Sequence, residues 1–345
     1  MSVFSKFAFW AVDSGYVPDL AIRAGIRALC RQRLKDISVS DEHLPQRLQG
    51  FIQDLDRAPV APLVEKANEQ HYEVPARFFE CVLGAHLKYS SAHWDGVDAL
   101  DDAEAQALTL SCDHAGLEDG QEVLELGCGW GSLTLWMAAA YPNSKITAVS
   151  NSASQREFIE SRAIERKLTN LQVITADINH LTLDQSFDRI VSVEMFEHLR
   201  NYREIFDRVG AWLKPEGRFF MHIFCHKTIP YFFEDNDGSD WMSRHFFSGG
   251  MMPSADLPLK FQDSLCFEKR WDWSGVEYQK TSEAWLNKLD AAHNDVFNIF
   301  SETYGRANAK MWVNRWRVFF MACAELFGMH GGDEWRVCHY LFTKR

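Results

Sequence analysis

Residues 123–140 constrain the architecture of this chain more than any other stretch. Val123-Leu124-Glu125-Leu126 is an apolar strand, Gly127, Gly129 and Gly131 follow at alternate positions, and Leu133 to Ala140 have helix composition. Strand, tight turn and helix in that order describe the first crossover of an open α/β sheet, where glycines let the backbone turn sharply and approach a ligand closely. The spacing is G-x-G-x-G, not the G-x-G-x-x-G of dinucleotide binders. The residues about 20 positions further on, Thr147 to Asn151, lack the acid that a nicotinamide ribose requires. A small nucleotide-like ligand remains, and a dinucleotide is set aside.

The flanking sequence repeats the same rhythm. Strands are predicted over 122–126, 145–149, 171–175, 187–193 and 218–224, with helices over 101–115, 154–166 and 202–213, which means a largely parallel, doubly wound sheet. After residue 228 the rhythm breaks into a stretch rich in Phe, Trp, Asp, Gly and Pro. A sixth strand (265–273), helices at 281–301 and 307–327, and a seventh strand (334–342) complete the chain. Upstream, Leu20, Ile26, Leu29 and Leu34, then Leu44, Leu48, Phe51, Ile52 and Leu55, keep helical spacing. The expected plan is a helical extension (1–70), a ligand-binding core with a lid (71–228), a cap carrying the substrate region (229–333) and a last sheet strand (334–345). The polar and aromatic clusters Gln70 to Pro75, Phe78-Phe79 and Leu87 to Trp94 are read as that lid.

Bulk properties exclude several classes. A net charge of −12 argues against nucleic acid and against anionic membrane surfaces as partners. Arg23, Arg27, Arg31, Arg33 and Lys35 line one helix; they are read as a solvated face or a subunit contact rather than a membrane dock, and a homodimer is left open. The eight cysteines are scattered and read as free thiols in a reducing cytoplasm. The opening apolar run is cut by Asp13, and no later run is long enough to span a bilayer.

The fourth strand ends in Ser192-Val193-Glu194-Met195-Phe196-Glu197-His198. Carboxyl ends of strands face the ligand crevice in such sheets, so these groups lie beside whatever the glycine loop holds. On a helical turn Glu194 would reach Glu197 and His198, and two carboxylates with an imidazole make an acid–base site. Glutamates in a first helical turn also complement the helix dipole with no chemistry attached. His222 and His226 on one strand would stand about 13 Å apart, too far to share an ion, so no metal site is read.

The glycine loop looks like the S-adenosylmethionine loop of the class I methyltransferases, a Rossmann-like fold with a seven-stranded, mostly parallel sheet. Together with Glu194 to Tyr202, Phe224-Cys225-His226-Lys227-Thr228, Met252-Pro253-Ser254-Ala255 and Gly331-Gly332-Asp333-Glu334-Trp335, it closely resembles the coclaurine N-methyltransferase family of plants. The likeness runs from about Tyr72 to the C-terminus. It implies S-adenosyl-L-methionine as cofactor, with Tyr89 and Ser90 at its carboxylate, Gly127, Gly129 and Gly131 under its methionine part, Asn151 and Gln155 at the ribose and Asp177 at adenine. It further implies Glu194, Glu197 and His198 as the catalytic, amine-binding and proton-handling residues. Glu73 is a further carboxylate near that pocket, and Trp316, Phe319 and Phe320 are aromatic walls, which core packing would explain as well.

The resemblance implies a small amine, aromatic or alkaloid-like, as substrate. The same wider group includes cyclopropane fatty acid synthases, which modify unsaturated phospholipid chains. Those enzymes usually carry glycine where this chain has Glu194 and cysteine where it has Ser91, near their bicarbonate site, and both positions speak for the amine branch. His222 resembles a histidine of that bicarbonate site, and His71-Tyr72 matches the lipid enzymes, which keeps the lipid reading as the alternative. A cofactor-binding interaction module is the third reading, and the intact trio of ionisable groups speaks against it.

Overall fold

The computed structural model describes residues 10–38, 42–62, 74–233 and 241–345. Helices α1 (Asp19–Ile37), α2 (Leu44–Arg57), α3 (Ala76–Val82) and α4 (Leu100–Ala115) precede the sheet. Then β1 (Glu122–Leu126), α5 (Ser132–Ala140), β2 (Lys145–Ser150), α6 (Ala153–Glu165), β3 (Leu171–Thr175), β4 (Phe187–Val193), α7 (Tyr202–Trp212) and β5 (Leu213–His226) alternate. The cap holds β6 (Tyr231–Phe232), α8 (Trp241–His245) and β7 (Met251–Met252). It is followed by β8 (Leu265–Trp273), α9 (Gly275–Ala291), α10 (His293–Tyr304), α11 (Arg306–Phe327) and β9 (Trp335–Lys344).

Seven strands form one sheet in the order β3-β2-β1-β4-β5-β9-β8. The first five are mutually parallel, and β9 runs antiparallel to both β5 and β8. The order reverses at β1, so its carboxyl end is the topological switch point where ligands of such sheets sit. Near-continuous burial of Val123 to Leu126 and of Ile146 to Ser150 matches strands covered by helices on both faces. Local chemistry sets the helix starts: Ser152, Asn201 and Ser274 each accept a hydrogen bond from the backbone in the first turn of α6, α7 and α9.

Three sequence expectations are corrected. The helix read over 281–301 is two helices, α9 and α10, that break at Ala292. Trp285, Leu289, Val296 and Phe300 are buried at i+3/i+4-like spacing across the break, so apolar periodicity could not register it. The fifth strand is longer than 218–224, beginning at Leu213 and ending at His226. Third, the basic face of α1 is not simply a solvated one: Arg23 and Arg27 are engaged within the chain. Arg23 bridges Glu283 at 2.6 Å and Glu325 at 3.1 Å, and Arg27 reaches Glu325 at 2.8 Å. Arg33 lies over the Tyr231 ring. These charges dock α1 onto α9 and α11, which is why a basic helix sits on an acidic chain.

Glu325 is the shared acceptor of two arginines and is mostly buried. Glu325→Gln is expected to lower stability by about 1–2 kcal/mol, more than an exposed ion pair would. The α1 segment should open to limited proteolysis before the sheet unfolds.

Candidate active site

The site is assembled at the carboxyl ends of β1 and β4, closed by the segment 87–91 and by α9. Gly127 has φ +78 and Gly129 φ +52, both left-handed conformations that favour glycine. A Cβ on Gly127 would stand 2.9 Å from Cβ of Met195, whereas one on Gly129 would meet no protein atom within 4 Å. Gly127 is therefore required by packing against the β4 end, and Gly129 leaves the loop open toward the cavity. Gly131 closes the loop as the N-cap of α5.

Two adjoining cavities share Gly127, Gly129, Gln155 and His198. One is lined by Ser150, Asn151, Ala176, Asp177 and Ile178, at the ends of β2 and β3. The other is bounded by Lys88, Tyr89, Ser90, Glu125, Ser132, Glu194, Phe224, Phe247, Tyr278, Trp285 and Phe319. Two buried polar atoms on these walls, Nε2 of Gln155 and Oγ of Ser132, lack a hydrogen-bond partner among the described residues. Such groups call for a polar ligand. A nucleoside joined to an amino acid supplies that chemistry in the two adjoining compartments, so these residues fit S-adenosylmethionine.

Glu194 departs from the helical turn expected for it. Its φ is +47, a strained conformation for a residue with a Cβ, and only Phe196–His198 form a short 3₁₀ turn. The strain aims its carboxylate at three hydrogen-bond partners. The Ser91 amide reaches Oε1 at 3.0 Å, His222 Nε2 meets the same oxygen at 3.1 Å, and the Tyr278 hydroxyl donates to Oε2 at 2.7 Å. The backbone is held as well, since the Glu194 amide donates to the His222 carbonyl at 2.9 Å. Tyr278 is itself stacked on Phe327, with ring centroids 4.3 Å apart.

Of the expected catalytic trio, Glu194 and His198 line the cavity and Glu197 lies behind its wall. Glu197 is fully buried, its Oε1 accepts the Phe224 amide at 2.7 Å, and Oε2 has no partner among the described residues. Burial, and then the nearby Glu194 charge, push its pKa well above the usual carboxylate range. His198 stacks on Phe247 at 4.7 Å. Tyr89, Ser90, Asn151, Gln155 and Asp177 line the cavities. Phe319 lines the larger one, while Trp316 and Phe320 are fully buried behind it, packed on Phe78, Phe79 and Trp285. Glu73 lies outside the described residues.

Sequence reasoning missed Lys88, Tyr278, Phe247 and Glu125. Lys88 is buried; its Nζ donates at 2.6 Å both to Ser90 Oγ and to the Ser91 carbonyl, and burial pulls its pKa down to about 8. It stiffens the segment that presents the Ser91 amide. Glu125 is held by Thr134, and burial raises it to about 7. Tyr278 is more than 80 positions from Glu194, so only the fold brings them together.

The family model for mycolic acid cyclopropane synthetase matches residues 63–336. The chain belongs to this family. (S)-Coclaurine N-methyltransferase of Thalictrum flavum subsp. glaucum is 38% identical over 97% of this chain and 94% of its own length. The cyclopropane-fatty-acyl-phospholipid synthase of Escherichia coli K12 is 31% identical over 78% of this chain and 66% of its own. A crystal structure of coclaurine N-methyltransferase bound to N-methylheliamine and SAH gives a TM-score of 0.94 at 36% identity, covering 98% of this chain and 99% of that one. This member of the family is an S-adenosylmethionine-dependent methyltransferase with the class I fold.

Two outcomes are expected. Gly129→Ala adds about 1–2 kcal/mol of backbone strain and a methyl at the cavity mouth. It should fold, yet bind SAH at least tenfold more weakly by calorimetry; Gly127→Ala should lose stability too. Glu197→Gln reports on the buried acid. Below about pH 4 both folded and unfolded chains carry the proton, so the variant gains nothing. As pH rises through the unfolded value of about 4.3, only the unfolded wild type ionises and is favoured. The Tm advantage of Glu197→Gln should therefore grow from pH 4 toward pH 8.

Proposed function

We propose that this chain transfers the methyl group of S-adenosylmethionine to the nitrogen of a small, aromatic or alkaloid-like amine. The observation that carries the reading is the seat of Glu194. One carboxylate, held by three hydrogen bonds, stands in a cavity whose walls include the rings of Phe224, Phe247, Tyr278, Trp285 and Phe319. A carboxylate among ring faces suits a compact organic cation through Coulomb attraction and cation–π contact. The kinship with (S)-coclaurine N-methyltransferase over nearly the whole chain supports the same substrate class.

An alkyl amine, with a pKa of roughly 10 like that of lysine, arrives protonated and has no lone pair to attack with. The site must hold the cation and then relieve it of a proton. Glu194 attracts the ammonium and takes the proton, with His198 as a second acceptor on the same wall. Glu197 stands behind this wall, its carboxyl held well above the usual carboxylate range by burial and then by the Glu194 charge. Gly127, Gly129 and Ser132 with Tyr89 and Ser90 would hold the amino acid portion of the cofactor, and Asn151, Gln155 and Asp177 its nucleoside. Bound there, S-adenosylmethionine supplies an electrophilic methyl carbon, and the remaining contribution of the walls is alignment.

The lipid-modifying alternative meets an obstacle at one atom. The Ser91 amide and His222 Nε2, at the positions that in the lipid enzymes belong to the bicarbonate region, are both committed to Glu194 Oε1. The deciding assay offers labelled S-adenosylmethionine with a panel of primary to tertiary amines, including benzylisoquinolines and phenethylamines, and with unsaturated phospholipid vesicles. Label should enter amines and not vesicles; the reverse would overturn the reading. Glu194→Gln and His198→Ala should each cut turnover on the best amine by about 100-fold, with SAH affinity changed less than threefold. Full activity in both would refute their roles.

A further inference from the structure

Glu194 is the inner end of a continuous line of hydrogen-bonded rings. Its Oε1 meets His222 Nε2 at 3.1 Å; His222 Nδ1 meets His339 Nε2 at 2.8 Å; His339 Nδ1 meets His114 Nδ1 at 2.8 Å. The line is a product of sheet register. His222 on β5 and His339 on β9 are direct partners, and His339 in turn faces Trp271 on β8. The last turn of α4 lays His114 across this face, stacked on Trp271 with centroids 3.9 Å apart. Trp273 packs against both inner rings, 5.6 Å from His222 and 4.1 Å from His339. His222 and His339 are buried, and His114 is half-exposed.

We propose that His222, His339 and His114 form a proton exit path, carrying to solvent the proton that Glu194 takes from the amine; the proposal rests on the N-methyltransferase reading for the source of that proton. A neutral imidazole has one N–H and one bare nitrogen. Three neutral rings in line therefore have two concerted arrangements. In the first, Glu194 carries a proton on Oε1, His222 and His339 carry theirs on Nδ1, and His114 on Nε2. Each then passes one proton outward. Glu194 Oε1–H breaks as His222 Nε2–H forms, His222 Nδ1–H breaks as His339 Nε2–H forms, and His339 Nδ1–H breaks as His114 Nδ1–H forms. The His114 Nε2 proton leaves to water or buffer. Four protons become three, Glu194 is again a carboxylate, and every ring stays neutral before and after. All three rings end as the other tautomer, and each must flip or exchange its N–H proton with solvent before the line is reset.

The surroundings suit neutral rings. Burial is the first cause that lowers all three histidines, His222 and His114 to about 4. The charges that face them add to it: Lys88 acts on His222 and His339, Lys269 on His114, and His93 on both His339 and His114. Glu194 opposes the trend at His222 alone. A buried trio without a proton-handling task would be served equally by apolar side chains, which cost no desolvation.

His114→Phe keeps the stack on Trp271 and removes the outer end, so it tests the path without emptying the core. In protein labelled with ¹⁵N at histidine and holding SAH, exchange of the His222 and His339 ring protons with water should slow at least tenfold in His114→Phe. In the unmodified protein, added imidazole buffer should accelerate the same exchange. Unchanged exchange in the variant, or no response to buffer, overturns the path whether or not any amine is methylated. With an accepted amine, His114→Phe should lower turnover at low buffer and regain it with imidazole, while KM and SAH affinity stay put. Turnover that falls without rescue, or does not fall, also overturns it. Absence of amine methylation by the unmodified enzyme would strike the N-methyltransferase reading, and the exchange measurement would still decide the path.

Discussion

The seat of Glu194 ties together parts of the chain that meet nowhere else. Its carboxylate takes hydrogen-bond partners from the segment before α4, from β5 and from α9, and its own backbone is pinned to β5. A residue with positive φ is costly by itself, of the order of 1–3 kcal/mol. Three hydrogen bonds to a carboxylate offset that cost and convert local strain into a fixed direction. The substrate wall is thus positioned by the same contacts that hold the cap to the sheet.

Charge is distributed to the same end. The chain is acidic overall, yet Lys88 is buried close enough to Glu194 to feel its charge, and burial, then the Glu194 charge, pushes the Glu197 carboxyl well above the usual carboxylate range. In the proposed reaction an entering ammonium would meet the Glu194 carboxylate on the cavity wall. The pocket is then complementary to a cation that is about to lose its proton, which is the state an amine must pass through before it can accept a methyl group.

What the sequence made legible was local. The glycine loop, the strand rhythm and the Glu194 to His198 segment are contiguous runs whose chemistry is fixed by neighbours, and the observed β1 and β3 to β4 spans agree with them. The seven-stranded sheet followed from the same rhythm and the family resemblance. What stayed hidden depends on long-range register. Tyr278 and Lys88 become site residues only when α9 and the segment before α4 close over β4. Trp316 and Phe320 carry the same aromatic signature as Phe319, yet only Phe319 reaches the cavity, because facing directions along α11 are set by what α3 and α9 already fill. The resemblance singles out His222, but nothing in the sequence links it to His339 and His114, which strand pairing and helix placement bring together.

The central claim is that Glu194 is the group that meets the substrate nitrogen. A crystal structure of the protein with SAH and the best amine substrate tests it most directly. The account predicts the amine nitrogen within hydrogen-bond distance of the Glu194 carboxylate, on the line toward the sulfur of SAH. A nitrogen seated elsewhere, with Glu194 still bound only to Ser91, His222 and Tyr278, would contradict it.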